Sequence, residues 1–170
     1  MMDWEAIGAI SEVIGAVAVV GSIVYLAIQI RQGTSATAAG NMNSWAADYN
    51  QLLITLYSDP NDAVLFRKAI SEFEFLSADD QTRAHALLSA TALLAANAYF
   101  QLEENQFEPR LANPILGFFA STIKAEGGKY WWSKFRGYCS QNFAAEIDKL
   151  AASGEIPAVD KALPWYAKDA

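Results

Sequence analysis

From Val13 to Ile30 the chain runs for eighteen residues without a charge, closed by Glu12 on one side and Arg31 on the other. As a helix rising about 1.5 Å per residue, this run spans about 27 Å, close to the hydrocarbon thickness of a bilayer. It predicts a transmembrane helix. A buried hairpin helix in a soluble bundle is the other structure compatible with a run this short. A cleavable signal peptide opens with a basic segment and ends in a small-residue cleavage site, whereas this terminus reads Met1-Met2-Asp3-Trp4-Glu5 and is acidic. An uncleaved anchor is therefore expected.

Beyond Arg31, Gly33-Thr34-Ser35 reads as a breaker followed by cap residues. Helical spacing then resumes through Ala38, Met42, Trp45, Tyr49, Leu52 and Leu56, until Asp59-Pro60 ends it. A further helix is expected over 61–75, with Val64, Leu65, Ala69 and Ile70 inward. Ser77-Ala78-Asp79-Asp80 resembles a capping box and opens a long helix reaching about Asn105. Between Arg83 and Glu103 that helix has no formal charge, so Ala84 to Leu102 is a candidate second span. Its His85, Thr91, Asn97 and Gln101, and its broad alanine-rich apolar coverage, favour a central core helix instead.

Pro109, Pro114 and Gly127-Gly128 punctuate a helix around Ile115 to Ala125 and an aromatic segment, Lys129 to Tyr138. A last amphipathic helix, Ser140 to Ala152, turns Phe143, Ile147 and Leu150 inward, and the tail from Ser153, with Pro157 and Pro164, is expected to be irregular. No strand-like alternation of useful length occurs. The expected fold class is all-α: a membrane anchor helix over 1–32, a cytoplasmic helical bundle over 33–152 and a C-terminal tail over 153–170.

Charge and composition narrow the function. The chain has 170 residues and a formal charge of −7, which argues against nucleic acid as a partner because phosphate binding needs a concentrated basic face. Roughly 135 residues remain after the span, enough for one hydrophobic core. The single cysteine, Cys139, agrees with a reducing cytoplasmic location, and with His85 as the only histidine a zinc site within one chain is excluded. A di-iron bundle needs Glu-x-x-His pairs, but Thr82 stands three residues before His85. No phosphate-binding glycine loop is present. No cofactor and no catalysis are expected. Arg31 is the only basic residue near either end of the span, which places the N-terminus outside and the bulk of the chain in the cytoplasm.

Within the anchor, Gly8, Ser11, Gly15, Ala18 and Ser22 recur at spacings of three and four and share one helix stripe. Lipid tails are as apolar as leucine, so membrane helices associate by close contact between small residues; the stripe predicts a packing face between copies of the chain. Glu5 and Glu12 lie beside it. With Trp4 and Tyr25 at the two interfaces, about 31 Å apart, Glu12 would sit inside the apolar layer as a pore or ion site; with the span starting at Val13 it sits at the headgroups. In the aromatic segment, Trp131 and Phe135 are one turn apart and suit a core. Trp132, Lys129, Lys134 and Arg136 are then left as a rim for lipid headgroups or an acidic partner, with ordinary core-and-surface packing as the plainer account.

Three segments carry a resemblance: Trp4-Glu5-Ala6-Ile7-Gly8-Ala9-Ile10, the run Tyr25-Leu26-Ala27-Ile28-Gln29-Ile30-Arg31-Gln32, and Gly127-Gly128-Lys129-Tyr130-Trp131-Trp132. In these the chain resembles a family of small bacterial membrane-anchored all-helical proteins. The resemblance implies an architecture and a bacterial inner-membrane location, and carries over no catalytic residue. The expected function is a self-associating scaffold or an accessory subunit of a larger membrane complex, in contact with membrane lipid. A homo-oligomeric cation channel ringed by Glu5 and Glu12 is a second class, and a small-molecule domain around His85, Tyr99 and Glu103 a third.

Overall fold

Gly33 does not stop the first helix. In the computed structural model, which describes residues 4–166 apart from the side chains of residues 4–6, 9, 11, 13, 35, 38, 56 and 57, helix α1 runs unbroken over Trp4–Ser58. The residues expected to cap a new helix are absorbed into the old one. Thr34 Oγ1 donates to the Ile30 carbonyl at 2.9 Å, and Thr37 Oγ1 donates to the Gly33 carbonyl at 3.0 Å. Bonding back four residues satisfies each hydroxyl inside the helix, and an interior glycine costs only about 1 kcal/mol relative to alanine. The chain divides into two compact units, Met1–Gly40 and Asn41–Ala170.

In the first unit the large apolar residues surround the helix. Ile14, Val17, Val20, Ile23, Val24, Leu26, Ile28 and Ile30 are all exposed, Ile23 by 60% and Ile30 by 69%. At 100° per residue, Gly8, Ser11, Gly15, Ala18 and Ser22 share one arc; beyond Ser22, Tyr25 and Leu26 return to that arc, and the other large apolar residues cover the rest of the circumference. Among the described residues α1 is the one helix long and apolar enough to cross a membrane; its most apolar window has a mean hydropathy of 1.8 and is not buried at all.

The second unit is all-helical, with no strand among the described residues. Helix α2, Pro60–Glu72, starts on Asp59, whose carboxylate accepts from the Asn61 amide at 2.8 Å, and ends in a 3₁₀ turn, Phe73–Phe75. Helix α3, Ala78–Glu103, has the expected cap: Ser77 Oγ accepts from the Asp80 amide at 3.2 Å and donates to the Asp80 carboxylate at 3.0 Å. Helix α4 is Pro109–Lys124. Helix α5, Glu126–Phe135, leads through a 3₁₀ turn to α6, Gln141–Ala152, capped by Ser140. Helix α4 packs against α3, α5 and α6, and α2 packs against α3 and α5. Their shared core holds Ile70, Leu88, Phe119, Trp131, Phe143 and Ile147. Ala84, Leu88, Ala92, Ala95 and Ala98 of α3 are buried, so this helix is the central core helix and not a second span.

Three local expectations change. Pro114 lies inside α4, which begins at Pro109 and not near Ile115; the proline removes the single bond to the Arg110 carbonyl, close to the helix start. The tail carries a short helix α7, Val159–Ala162, and a turn, Pro164–Tyr166. It is docked on α4: Val159 is buried, Ser121 Oγ donates to the Pro157 carbonyl at 2.7 Å, and Lys124 Nζ donates to the carbonyls of Ser153 and Ile156 at 2.9 and 2.6 Å. Gly127-Gly128 does not punctuate the chain but forms the first turn of α5. A Cβ on Gly127 would meet the Ala69 carbonyl oxygen, and would stand 2.6 Å from the Phe73 amide nitrogen; one on Gly128 would meet the Thr122 carbonyl.

Two backbones therefore touch where α5 begins, and only glycine fits. Gly127→Ala is expected to cost about 1–3 kcal/mol through forced backbone shifts. Gly137→Ala, which meets nothing within 4 Å, should stay within about 0.5 kcal/mol of wild type. Urea unfolding of both variants checks this; equal midpoints would refute the close-contact account.

Candidate functional site

Helix α5 buries adjacent tryptophans, Trp131 at 2% and Trp132 at 5% exposure. Neighbours in a helix point about 100° apart, so both are covered only because this short helix has partners on several sides. Trp132 meets Phe119 edge-on at 5.5 Å and Phe143 at 6.3 Å. Each indole N–H has a partner in another helix. Trp131 Nε1 donates to His85 Nδ1 at 3.0 Å, and Trp132 Nε1 donates to Asp148 Oδ1 at 2.8 Å. Asp148 also takes an ion pair from Arg136, so one carboxylate of α6 ties down both α5 and the turn after it.

The basic aromatic rim does not form as a set. Trp132 is core, because its indole has the better partners inside, and Arg136 is engaged with Asp148. Lys129 and Lys134 are exposed: Lys134 Nζ lies 5.5 Å from the Tyr130 ring centroid, and Lys129 lines a cavity with Glu74 and Glu126. In the first unit Gly8, Gly15, Ala18 and Ser22 are exposed, and Ser22 Oγ donates to the Ala18 carbonyl at 2.8 Å. Glu12 is exposed; the side chains of Glu5 and Ser11 lie outside the described residues.

His85, Tyr99 and Glu103 do not come together. His85 lines a cavity of about 750 Å³ with Gln81, Trp131, Lys134 and Tyr138. Tyr99 and Glu103 line another of about 500 Å³ with Asn113 and Glu146. An indole N–H only donates, so His85 Nδ1 must carry a lone pair and the neutral ring its proton on Nε2, which stands 3.5 Å from Ser89 Oγ. Burial pushes the Cys139 thiol up, the opposite direction from an activated nucleophile. Burial, then the Glu103 carboxylate with its hydrogen bond, then Glu146, hold the Tyr99 hydroxyl above the ordinary tyrosine value. Among the described residues no three His, Cys, Asp or Glu side chains group as metal ligands.

A further cavity, of about 340 Å³, lies within the second unit where the end of α1 meets α3 and α4. Trp45 stacks on Tyr49 at 5.2 Å and 10°, and its Nε1 donates to the Leu94 carbonyl at 3.3 Å. Asn41 Nδ2 donates to Gln106 Oε1 at 2.7 Å. These long side chains, not close backbone packing, hold α1 to the bundle, and the space beside them is left open. The spacing of Trp45, Tyr49 and Leu52 marks one apolar seam, but a cavity is missing atoms, and no residue pattern encodes it. Compared with protein-family models, curated proteins and solved structures, the chain matches none.

Two outcomes follow from this geometry. His85→Leu leaves the buried Trp131 N–H without its acceptor and is expected to cost about 1–3 kcal/mol in urea unfolding; a wild-type midpoint would show the bond to be idle. Because the folded state raises the Tyr99 pKa, the stability held by the neutral phenol is complete below its ordinary value of 10.0 and is lost as pH rises beyond it. The unfolding midpoint of wild type should therefore fall more steeply above about pH 10 than that of Tyr99→Phe. Parallel alkaline limbs would contradict it.

Proposed function

We propose that this protein is a membrane-anchored helical scaffold or accessory subunit of a bacterial inner-membrane assembly, without catalysis. The carrying observation is the uncovered apolar circumference of α1. Nine aliphatic side chains between Ile14 and Ile30 are exposed. Burying an aliphatic side chain of this size is worth about 1.5–3 kcal/mol, so the nine together are worth about 14–27 kcal/mol, as much as or more than the net stability of about 5–15 kcal/mol typical of a whole domain. A helix apolar on every side is served by lipid, since a single protein partner covers one face.

Self-association is assigned to the arc of Gly8, Ser11, Gly15, Ala18 and Ser22, where small side chains let a second backbone approach. Arg31 supports a cytoplasmic location for the second unit, with the N-terminus outside. The same orientation puts Cys139 in a reducing compartment, consistent with a lone thiol.

Carbonate washing of membranes containing the full chain should leave it in the pellet. In a Cys139→Ser background, Ala18→Cys should cross-link to a dimer several-fold more than Val20→Cys, which sits at similar depth on the opposite side of the helix. Release by carbonate would refute the anchor, and equal cross-linking at the two positions would refute the packing face.

A further inference from the structure

The cavity between the end of α1 and helices α3 and α4 differs in chemistry from the others. None of the residues lining it is charged, whereas Glu103 and Glu146 line the Tyr99 cavity and Lys134 lines the His85 cavity. Its wall is built from Trp45, Tyr49 and Leu53 of α1, Leu94 of α3, and Ile115 and Phe118 of α4. Two polar groups in that wall are already spent on backbone: Thr91 Oγ1 donates to the Leu88 carbonyl at 2.7 Å, and Trp45 Nε1 donates to the Leu94 carbonyl.

We propose that this cavity is a binding site for the hydrocarbon chain of an amphiphile, with the polar head left at the cavity mouth. The volume of about 340 Å³ falls within the range of small-molecule sites, and less than half of that space, about 150 Å³, is enough for benzene in a dry apolar cavity. The wall also carries the Tyr49 and Tyr166 hydroxyls but no charge, so a charged ligand would lose its water and meet no counter-ion there. An alkyl chain loses nothing there, and the cavity is partly open, so a head group need not be buried. The argument for an alkyl chain over another apolar body rests on the membrane reading: α1 brings the protein to a surface where such chains are the abundant apolar molecules. Free fatty acid and bilayer phospholipid supply the same chain.

The test uses the full chain in phospholipid vesicles, photolabelled either with a diazirine-bearing fatty acid or with a phosphatidylcholine carrying the same chain, followed by peptide mapping. Label is expected on segments 45–53, 91–94 or 114–118, lowered several-fold by excess unlabelled hexadecanoic acid for the free-acid probe or excess unlabelled phosphatidylcholine for the lipid probe. The arm that labels identifies the source. Thr91→Phe, which fills the cavity, should remove this label while leaving that on residues 14–30; Leu53→Trp serves the same purpose if the first variant fails to fold. Absence of label from the three segments in both arms, or label there that neither competitor nor variant lowers, would overturn the proposal. Label on residues 14–30 from the lipid probe reports separately on the anchor, so loss of the membrane reading is distinguishable from loss of the binding site.

Discussion

The exposed apolar surface of α1 between Ile14 and Ile30 is the constraint on which the proposed membrane anchoring and self-association both depend. Up to Ser22 its large apolar side chains leave one arc to glycine, alanine and serine, and beyond Ser22 the exposed Tyr25 and Leu26 close that arc. A helix partner in water would cover a stripe and leave the remainder wet. A bilayer would cover the whole helix and would leave the small-residue arc as a place where a second helix gains by close contact. The proposed anchor and the proposed packing face thus rest on a single distribution of side-chain volume around the helix.

The second unit is organised differently, around α4 and the aromatic side chains that converge on it. Phe119 stacks on Phe143 at 6.2 Å and meets Trp132 edge-on. The two adjacent tryptophans of α5 extend this cluster in two directions, and both of their N–H groups are satisfied across helices, by His85 and by Asp148. The lone histidine is therefore a fixed structural acceptor, and the basic residues beside it are divided among Asp148, the Tyr130 ring and the surface.

What the sequence made legible was local. The Ser77 cap and the stop at Asp59-Pro60 depend on residues within one turn, and both elements begin where those residues put them. The all-helical class followed from spacing alone. The misreadings share a physical cause: each depended on something distant. Gly33 resembles a breaker, but flanking helical residues and hydroxyl bonds carry the backbone through it. Gly127-Gly128 resembles a turn, but it exists because the backbones at Ala69 and Thr122 pass close by. Trp132 was assigned to the surface by periodicity and is buried by neighbours that periodicity does not see. The cavity beside Trp45 had no signature, being the space that long side chains leave between helices.

Amide hydrogen exchange on the full chain reconstituted in lipid vesicles tests the proposed membrane anchor most directly. If α1 lives in the hydrocarbon, amides from Ile14 to Ile30 exchange more slowly than any in the second unit, because water does not reach them. Exchange there at the pace of a solvated helix, faster than in the α3 and α4 core, would contradict it.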